Sequence, residues 1–315
     1  MKLNSKIYVA GSTGMVGTAI TKKLKEDGYS NIITSQSKSL DLRIQNDVKN
    51  FFASQKPEYV FLAAAKVGGI HANNLYKAEF IYDNLLIESN VIHESHVNNV
   101  KKLVFLGSSC IYPKESSIPI SEDQLLSGKL EPTNEPYAIA KIAGIKLCQS
   151  YRNQYGFNAI SLMPTNLYGP NDNFHPNNSH VIPGLVNKFH DAVVNKKKII
   201  ECWGTGKPRR EFLFVDDLAD AAVFLMNNYD ESEHINVGTG QDISIKELAE
   251  IFKDIFTFSG DIKWDSSMPD GTIRKLLDVS KLRTLGWEPK TNFRDGLEKT
   301  IDWYKKNAYH MSFEG

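Results

Sequence analysis

Residues 6–20, KIYVAGSTGMVGTAI, decide the fold. An apolar run from Lys6 to Ala10 stops at Gly11, and glycines recur at Gly14 and Gly17 as a helical pattern opens and runs to Asp27. A buried strand that turns on glycine into a helix is the opening unit of a dinucleotide-binding fold. The glycines permit a tight turn, close approach of the backbone to a pyrophosphate, and close packing of helix on sheet. Ser12, Thr13, Met15 and Val16 complete this phosphate-binding segment.

Working outward, the same alternation repeats. Strands are predicted at 31–34, 59–63, 102–106 and 158–163, with helices at 45–55, 75–98 and 136–155 between them. Apolar runs without strict alternation suit strands buried on both faces. The pattern calls for an α/β fold, a doubly wound parallel sheet of Rossmann type. Residues 1–165 are read as the dinucleotide-binding domain, with segments near 205–240 returning to it. After Pro164 the texture changes, and 168–180 (YGPNDNFHPNNSH) reads as a long loop. Helices follow at 181–194, 216–227, 244–256 and 292–306, with strands at 199–203 and 235–237. Residues 166–315 are read mainly as a second, smaller α/β substrate lobe.

The chain has 315 residues, and its 37 basic and 37 acidic residues cancel without long runs of either sign. That argues against a nucleic-acid groove or an anionic membrane surface. No apolar stretch approaches the roughly 20 residues needed to span a bilayer. The early strand and glycine turn leave no signal-peptide pattern. Cys110, Cys148 and Cys202 are scattered, without metal-ligand spacing, which fits a reducing cytoplasm and no bound metal.

Function is concentrated between Ser108 and Lys141. The apolar strand ends in Leu106-Gly107-Ser108-Ser109, Cys110 follows, and Tyr137 and Lys141 stand four apart on one helical face. Serine, tyrosine and lysine in this order form a keto-reductase triad. The lysine ammonium is expected to lower the pKa of the phenol, which then moves a proton near neutral pH. Ala63, Ala64 and Ala65 close the third strand with side chains small enough to let a cofactor pass. Beyond the second strand no carboxylate follows at once, while Lys38 offers an ammonium, which favours a 2′-phosphate and hence NADP.

The glycine spacing resembles that of extended short-chain dehydrogenase/reductases. Segments 63–70 (AAAKVGGI), 107–114 (GSSCIYPK), 131–144 (EPTNEPYAIAKIAG) and 163–174 (MPTNLYGPNDNF) closely resemble the GDP-L-fucose synthase family. So do 179–183 (SHVIP), 203–215 and 274–280 (RKLLDVS), and the likeness spans essentially the whole chain. The resemblance implies NADPH-dependent 3,5-epimerisation and 4-keto reduction of GDP-4-keto-6-deoxy-D-mannose. It assigns the epimerising acid and base to Cys110 and His180, and the reducing triad to Ser108, Tyr137 and Lys141.

The resemblance further implies cofactor contacts from Asp41, Leu42, Pro164, Thr165, Asn166, Leu167 and His180, beside those named above. Substrate contacts fall on Ser108, Ser109, Cys110, Asn166, His180, Val181, Lys188, Trp203, Arg210 and Asp278. A cation suits a diphosphate, and an aromatic ring suits a guanine or sugar face. For the Arg209-Arg210 pair the alternative is a salt bridge with Glu211 or Asp216. Family members often carry His-Arg where this chain has Ser12-Thr13, and an arginine near Ser37, which leaves Lys38 as the main cation for a 2′-phosphate. The family also implies a homodimer through the helices near 75–98 and 136–155. The same chemistry on a GDP-linked heptose or colitose-type sugar, and an NAD-retaining 4-epimerase, are the competing readings.

Overall fold

The protein, described by a computed structural model at residues 1–175, 178–268 and 270–307, is built on a six-stranded parallel sheet. Strands β1 (Ile7–Ala10), β2 (Ile32–Thr34), β3 (Tyr59–Leu62), β4 (Lys102–Leu106) and β5 (Ala159–Pro164) alternate with helices. These are α1 (Met15–Glu26), α2 (Gln45–Gln55), α3 (Ile70–Leu75), α4 (Lys77–Val97) and α5 (Glu135–Tyr155). The helix expected over 75–98 is therefore two, divided at Tyr76, whose backbone leaves helical geometry (φ −105°, ψ 40°).

Beyond them lie β6 (Asn166–Tyr168), α6 (Val181–Val194), β7 (Ile199–Trp203), β8 (Arg209–Phe214), α7 (Val215–Asn228) and β9 (Ile235–Val237). The chain continues through β10 (Asp242–Ser244), α8 (Ile245–Ile255), β11 (Asp261–Asp265), β12 (Arg274–Lys275), α9 (Ser280–Thr284) and α10 (Phe293–Asn307). Of the long loop expected at 168–180, Pro176 and Asn177 lie outside the described residues.

The sheet runs β2-β1-β3-β4-β5-β9, so strand order reverses beside β1. In such sheets ligands bind at the carboxyl ends of the strands, at the point of reversal. Registers Ala10↔Leu62, Leu62↔Phe105 and Phe105↔Ser161 bring those ends to one edge. Successive strand residues face opposite layers. Ile7 and Val9 pack with Ile20 and Leu24 of α1 and Leu218 of α7, whereas Tyr8 and Ala10 pack with Phe52 of α2 and Ile92 of α4. α7 and β9 thus complete the layers around the first sheet.

A separate apolar cluster of Tyr168, Phe189, Phe212, Phe252 and Ile301 lies under the later elements. There β8 is flanked by β10 and β12 and also pairs with β6, while β7 pairs with β11. Among the described residues no helix is long and apolar enough to cross a membrane.

Candidate active site

The glycine turn is built as a cradle. Gly11 has φ +83°, and a Cβ there would lie 2.7 Å from the Ala64 backbone. A Cβ on Gly17 would meet the Gly11 carbonyl oxygen at 2.1 Å. Gly14 is the N-cap of α1 and has no side chain to cap it, so first-turn N–H groups and the positive helix end remain for an anion. Ser12 donates to the Ser35 carbonyl at 3.1 Å, tying the turn to the end of β2. Ala63 continues β3 by donating to Ala10 O at 3.0 Å, and Ala63, Ala64 and Ala65 are half-buried. Residues at this edge fit a dinucleotide, with Leu106, Gly107, Pro164 and Thr165 closing adjacent strand ends.

Lys38 is exposed. Asp41 is held by Arg43, whose Nε lies 2.9 Å from Oδ1, and this keeps the Asp41 carboxyl below its usual range. Arg43 also reaches Asp83 at 3.3 Å. It is thus a second cation in this region, missed because its pairing could not be read from sequence.

Ser108 ends the segment after β4 in an extended conformation, and its Oγ accepts from Cys110 N–H at 3.3 Å. That bond holds the short 3-10 turn Ser109–Ile111, which presents the half-buried Cys110 and buries Ser109. Tyr137 and Lys141 lie on α5, which begins with Pro136 in its first turn and ends at Gly156 in the left-handed conformation. The Tyr137 hydroxyl lies near the Ser108 side chain, which acts to lower its pKa, and its ring meets Phe80 edge-on at 6.2 Å.

The expected lowering of Tyr137 by Lys141 is not what the geometry gives. The Tyr137 pKa is raised, first by burial and then by charge at Cys110 and Glu88, with the Ser108 side chain opposing. Lys141 is 2 % exposed, donates to Leu106 O at 3.0 Å, and pairs with Glu88 Oε1 at 2.9 Å. Its Nζ lies 5.9 Å from the centre of the Tyr137 ring. Burial is the largest cause of the rise, and the ammonium is paired with a carboxylate of opposite charge. Sequence reading missed Glu88, although a carboxylate on the α4 stripe that buries Asn84, Val91 and Ile92 was its signal.

His180 is the N-cap of α6, but its side chain makes no capping bond. Gly69 N–H donates to the Asn178 carbonyl at 3.1 Å, which pins the approach to α6 against the end of the loop after β3. Surrounding protein lowers the His180 pKa by desolvation. His180 is nevertheless exposed, which limits that shift.

The expected substrate contacts divide into groups. Lys188 of α6 and Trp203 of β7 come together, with Nζ 5.4 Å from the ring centre, and Lys188 also donates to Glu201 O at 2.9 Å. Arg210 lies within electrostatic reach of Cys110 and makes no ion pair among the described residues. The alternative salt bridge falls to its neighbour, because Arg209 binds Asp242 at 2.9 Å and Glu247 at 3.2 Å. Glu211 instead accepts from the N–H groups of Thr239, Gly240 and Leu277, and Asp216 takes Lys22. Asn166 donates to Glu211 O at 2.8 Å, beside Arg210, while Leu167 pairs with Leu213. Val181 opens α6. Asp278 is engaged locally, accepting from Ser280 N–H at 2.8 Å, while its own N–H binds Ile120 O. No group of three or more side chains suited to a metal occurs among the described residues.

Residues 7–238 match the NAD dependent epimerase/dehydratase family. GDP-L-fucose synthase 1 of Arabidopsis thaliana is 60% identical over 305 residues, covering 97% of this chain and 94% of that one. GDP-L-fucose synthase of Escherichia coli (strain K12) is 51% identical over 311 residues, covering 96% and 97%. A solved GDP-mannoheptose C4 reductase from Campylobacter jejuni with NADP bound superposes with TM-score 0.90 at 44% identity, covering 97% and 99%.

Proposed function

We infer the reaction from the premise that this chain belongs to the NAD dependent epimerase/dehydratase family and, within it, to the GDP-L-fucose synthases. It converts GDP-4-keto-6-deoxy-D-mannose to GDP-L-fucose by inverting C3 and C5 and then reducing C4. The observation that carries this reading is the turn after β4, where the Ser108 hydroxyl accepts from Cys110 N–H at 3.3 Å and so sets the thiol next to the triad serine. A plain keto-reductase needs the triad but not the thiol.

The 4-keto group acidifies the hydrogens at C3 and C5, since loss of either leaves an enolate. Cys110 and His180 work from opposite faces, one removing the proton and the other returning one, so each inversion leaves the atom count unchanged. Desolvation acts to lower the His180 pKa, the direction that favours the neutral ring able to accept a proton. Ser108 and Tyr137 hold the C4 oxygen by hydrogen bonds and stabilise the enolate charge. Tyr137, whose raised pKa keeps it a phenol, then gives its proton to that oxygen. Lys188 and Arg210 hold the diphosphate, and Trp203 offers its face to the base or sugar.

The nicotinamide cofactor supplies hydride to C4 when bound. We assign it as NADPH, with Lys38 facing the 2′-phosphate and residues 11–17 the pyrophosphate. Asp41, Leu42, Ala63 to Ala65, Leu106, Gly107, Lys141, Pro164 to Leu167 and His180 complete its site. Residues 1–165 then serve mainly the dinucleotide and 166–315 mainly the nucleotide sugar. A homodimer would join through α4 and α5, which leave Tyr82, Val97, Ile139 and Tyr155 exposed.

The solved heptose reductase favours a second sugar for the same chemistry, since its name places the reaction at C4 of a GDP-linked heptose. Purified protein given NADPH and either GDP-4-keto-6-deoxymannose or a GDP-4-keto-heptose decides between them. Faster NADPH loss with the hexose supports the assignment, and faster loss with the heptose overturns it.

A further inference from the structure

Asn236 lies in β9, at the edge of the parallel sheet, and is 0% exposed between Ile235 and Val237. Those two neighbours pack in the layer with α7, so the Asn236 amide faces the other layer. There its Oδ1 accepts from the Tyr112 hydroxyl at 2.5 Å, and its Nδ2 donates to Ile120 O at 2.9 Å and Asp278 O at 3.1 Å. Its backbone N–H donates to Glu122 Oε1 at 2.9 Å. Tyr112 closes the turn that carries Cys110, its N–H donating to Ser109 O at 3.4 Å. Asp278 N–H donates to Ile120 O at 2.8 Å, and Leu277 N–H to Glu211 Oε2 at 2.9 Å, next to Arg210. A buried amide costs stability unless its hydrogen bonds are made, and an apolar side chain carries no such demand. What the amide adds is a junction, since one side chain ties the turn of Cys110 to the segment of Asp278.

We propose that Asn236 is a positioning residue, which through Tyr112 holds the Cys110 turn in register with Asp278 and so sets how completely the sugar is inverted before it is reduced. This rests on the reading above that Cys110 epimerises a nucleotide sugar held by Arg210 and its neighbours. Tyr112 is 2% exposed and stands two residues past the thiol. The reducing groups are held separately. Ser108 follows β4 directly, and Tyr137 and Lys141 stand on α5, with Lys141 fixed by Leu106 O and Glu88. Releasing the Tyr112 anchor therefore shifts the thiol against the bound sugar and leaves hydride transfer in place. A misplacement of about 1 Å can cost a hundredfold in rate. Reduction then overtakes inversion, and un-inverted product escapes.

The test is Tyr112→Phe, which removes the hydroxyl and keeps the ring. Val48→Ala, a cavity beneath α2, is the control for lost stability. The first quantity is the ratio of inverted to un-inverted C4-reduced product, read by proton NMR after reaction with NADPH and the keto sugar. A smaller folded fraction lowers both products together and leaves this ratio alone. The second is the rate at which iodoacetamide alkylates Cys110 without sugar, read by mass spectrometry. Cys110 is half-buried, whereas Cys148 and Cys202 are buried. In Tyr112→Phe the product ratio falls about tenfold or more, and Cys110 is alkylated faster than in wild type. Val48→Ala leaves both at their wild-type values. The proposal is overturned if either quantity in Tyr112→Phe stays at its wild-type value, or if Val48→Ala shifts both alike. A wild type that yields only un-inverted product would count against the assigned reaction, and the alkylation rates alone then decide on the anchor.

Discussion

The Lys188 ammonium, carried by α6, lies 5.4 Å from the centre of the Trp203 ring at the end of β7. Trp203 is 55% exposed, so one ring face is backed by a cation and the other is open to a planar ligand. Stacking of a base on an aromatic ring is worth roughly 1–3 kcal/mol. Trp203→Ala is expected to raise KM for the GDP-sugar about fivefold to a hundredfold, with kcat nearly unchanged. Steady-state kinetics checks this, and an unaltered KM removes Trp203 from the nucleotide site.

Tyr137→Phe deletes the proton donor while keeping the ring against Phe80. Loss of a general acid costs about a hundredfold to ten-thousandfold in rate. NADPH binding, measured by fluorescence titration, should stay near wild type. A variant keeping a large share of turnover would contradict the assigned role.

Cys110→Ser should separate the two halves of the reaction. The thiol acts before hydride transfer, and Tyr137 and Lys141 keep their places on α5. The expected product is a sugar reduced at C4 without inversion at C3 and C5, identified by proton NMR. An inverted product from this variant would assign the proton transfers elsewhere.

Lys38 is exposed just past β2, while the nearby Arg43 is committed to Asp41 and Asp83. A charge-assisted contact to a 2′-phosphate is worth roughly 1.5–3 kcal/mol. Lys38→Ala should therefore raise KM for NADPH about tenfold to a hundredfold and leave KM for NADH nearly unaffected. If NADPH and NADH are still discriminated as in wild type, the 2′-phosphate is read by another group.

His234 is 3% exposed, with Nε2 3.1 Å from the Tyr112 hydroxyl, and burial lowers its pKa to about 4. The unfolded chain binds its proton near pH 6.5, so protonation favours unfolding. Its contribution to stability is complete above about pH 6.5, is lost as pH falls toward 4, and changes no further below that; it amounts to about 3 kcal/mol. Urea unfolding at pH 7 and pH 4.5 should show a smaller acid loss in His234→Gln. An acid loss equal to wild type would place the effect on other groups.

The parts of the fold written locally were legible in the sequence. Gly11 to Gly17 after an apolar run and the strand leading to Ser108 carry their own signals, and β1, β4 and α5 stand within a residue or two of where those signals put them. Strand β8 was not legible, because its arginines and glutamate break any alternation and its residues are held by β6, β10 and β12 from distant sequence. The site divides in the same way. Tyr137 and Lys141 are neighbours on one helix, but the Tyr137 pKa is raised first by burial, and the Lys141 ammonium is paired with Glu88 from α4. No spacing rule could reveal that pairing before α4 and α5 were packed together.

Inversion at two carbons followed by reduction at a third is tested most directly by running the reaction in deuterated water with NADPH and GDP-4-keto-6-deoxy-D-mannose. Wild-type protein is predicted to give GDP-L-fucose carrying deuterium at C3 and C5 and protium from the cofactor at C4. A C4-reduced product with protium retained at both C3 and C5, or a keto sugar left unreduced, would contradict it.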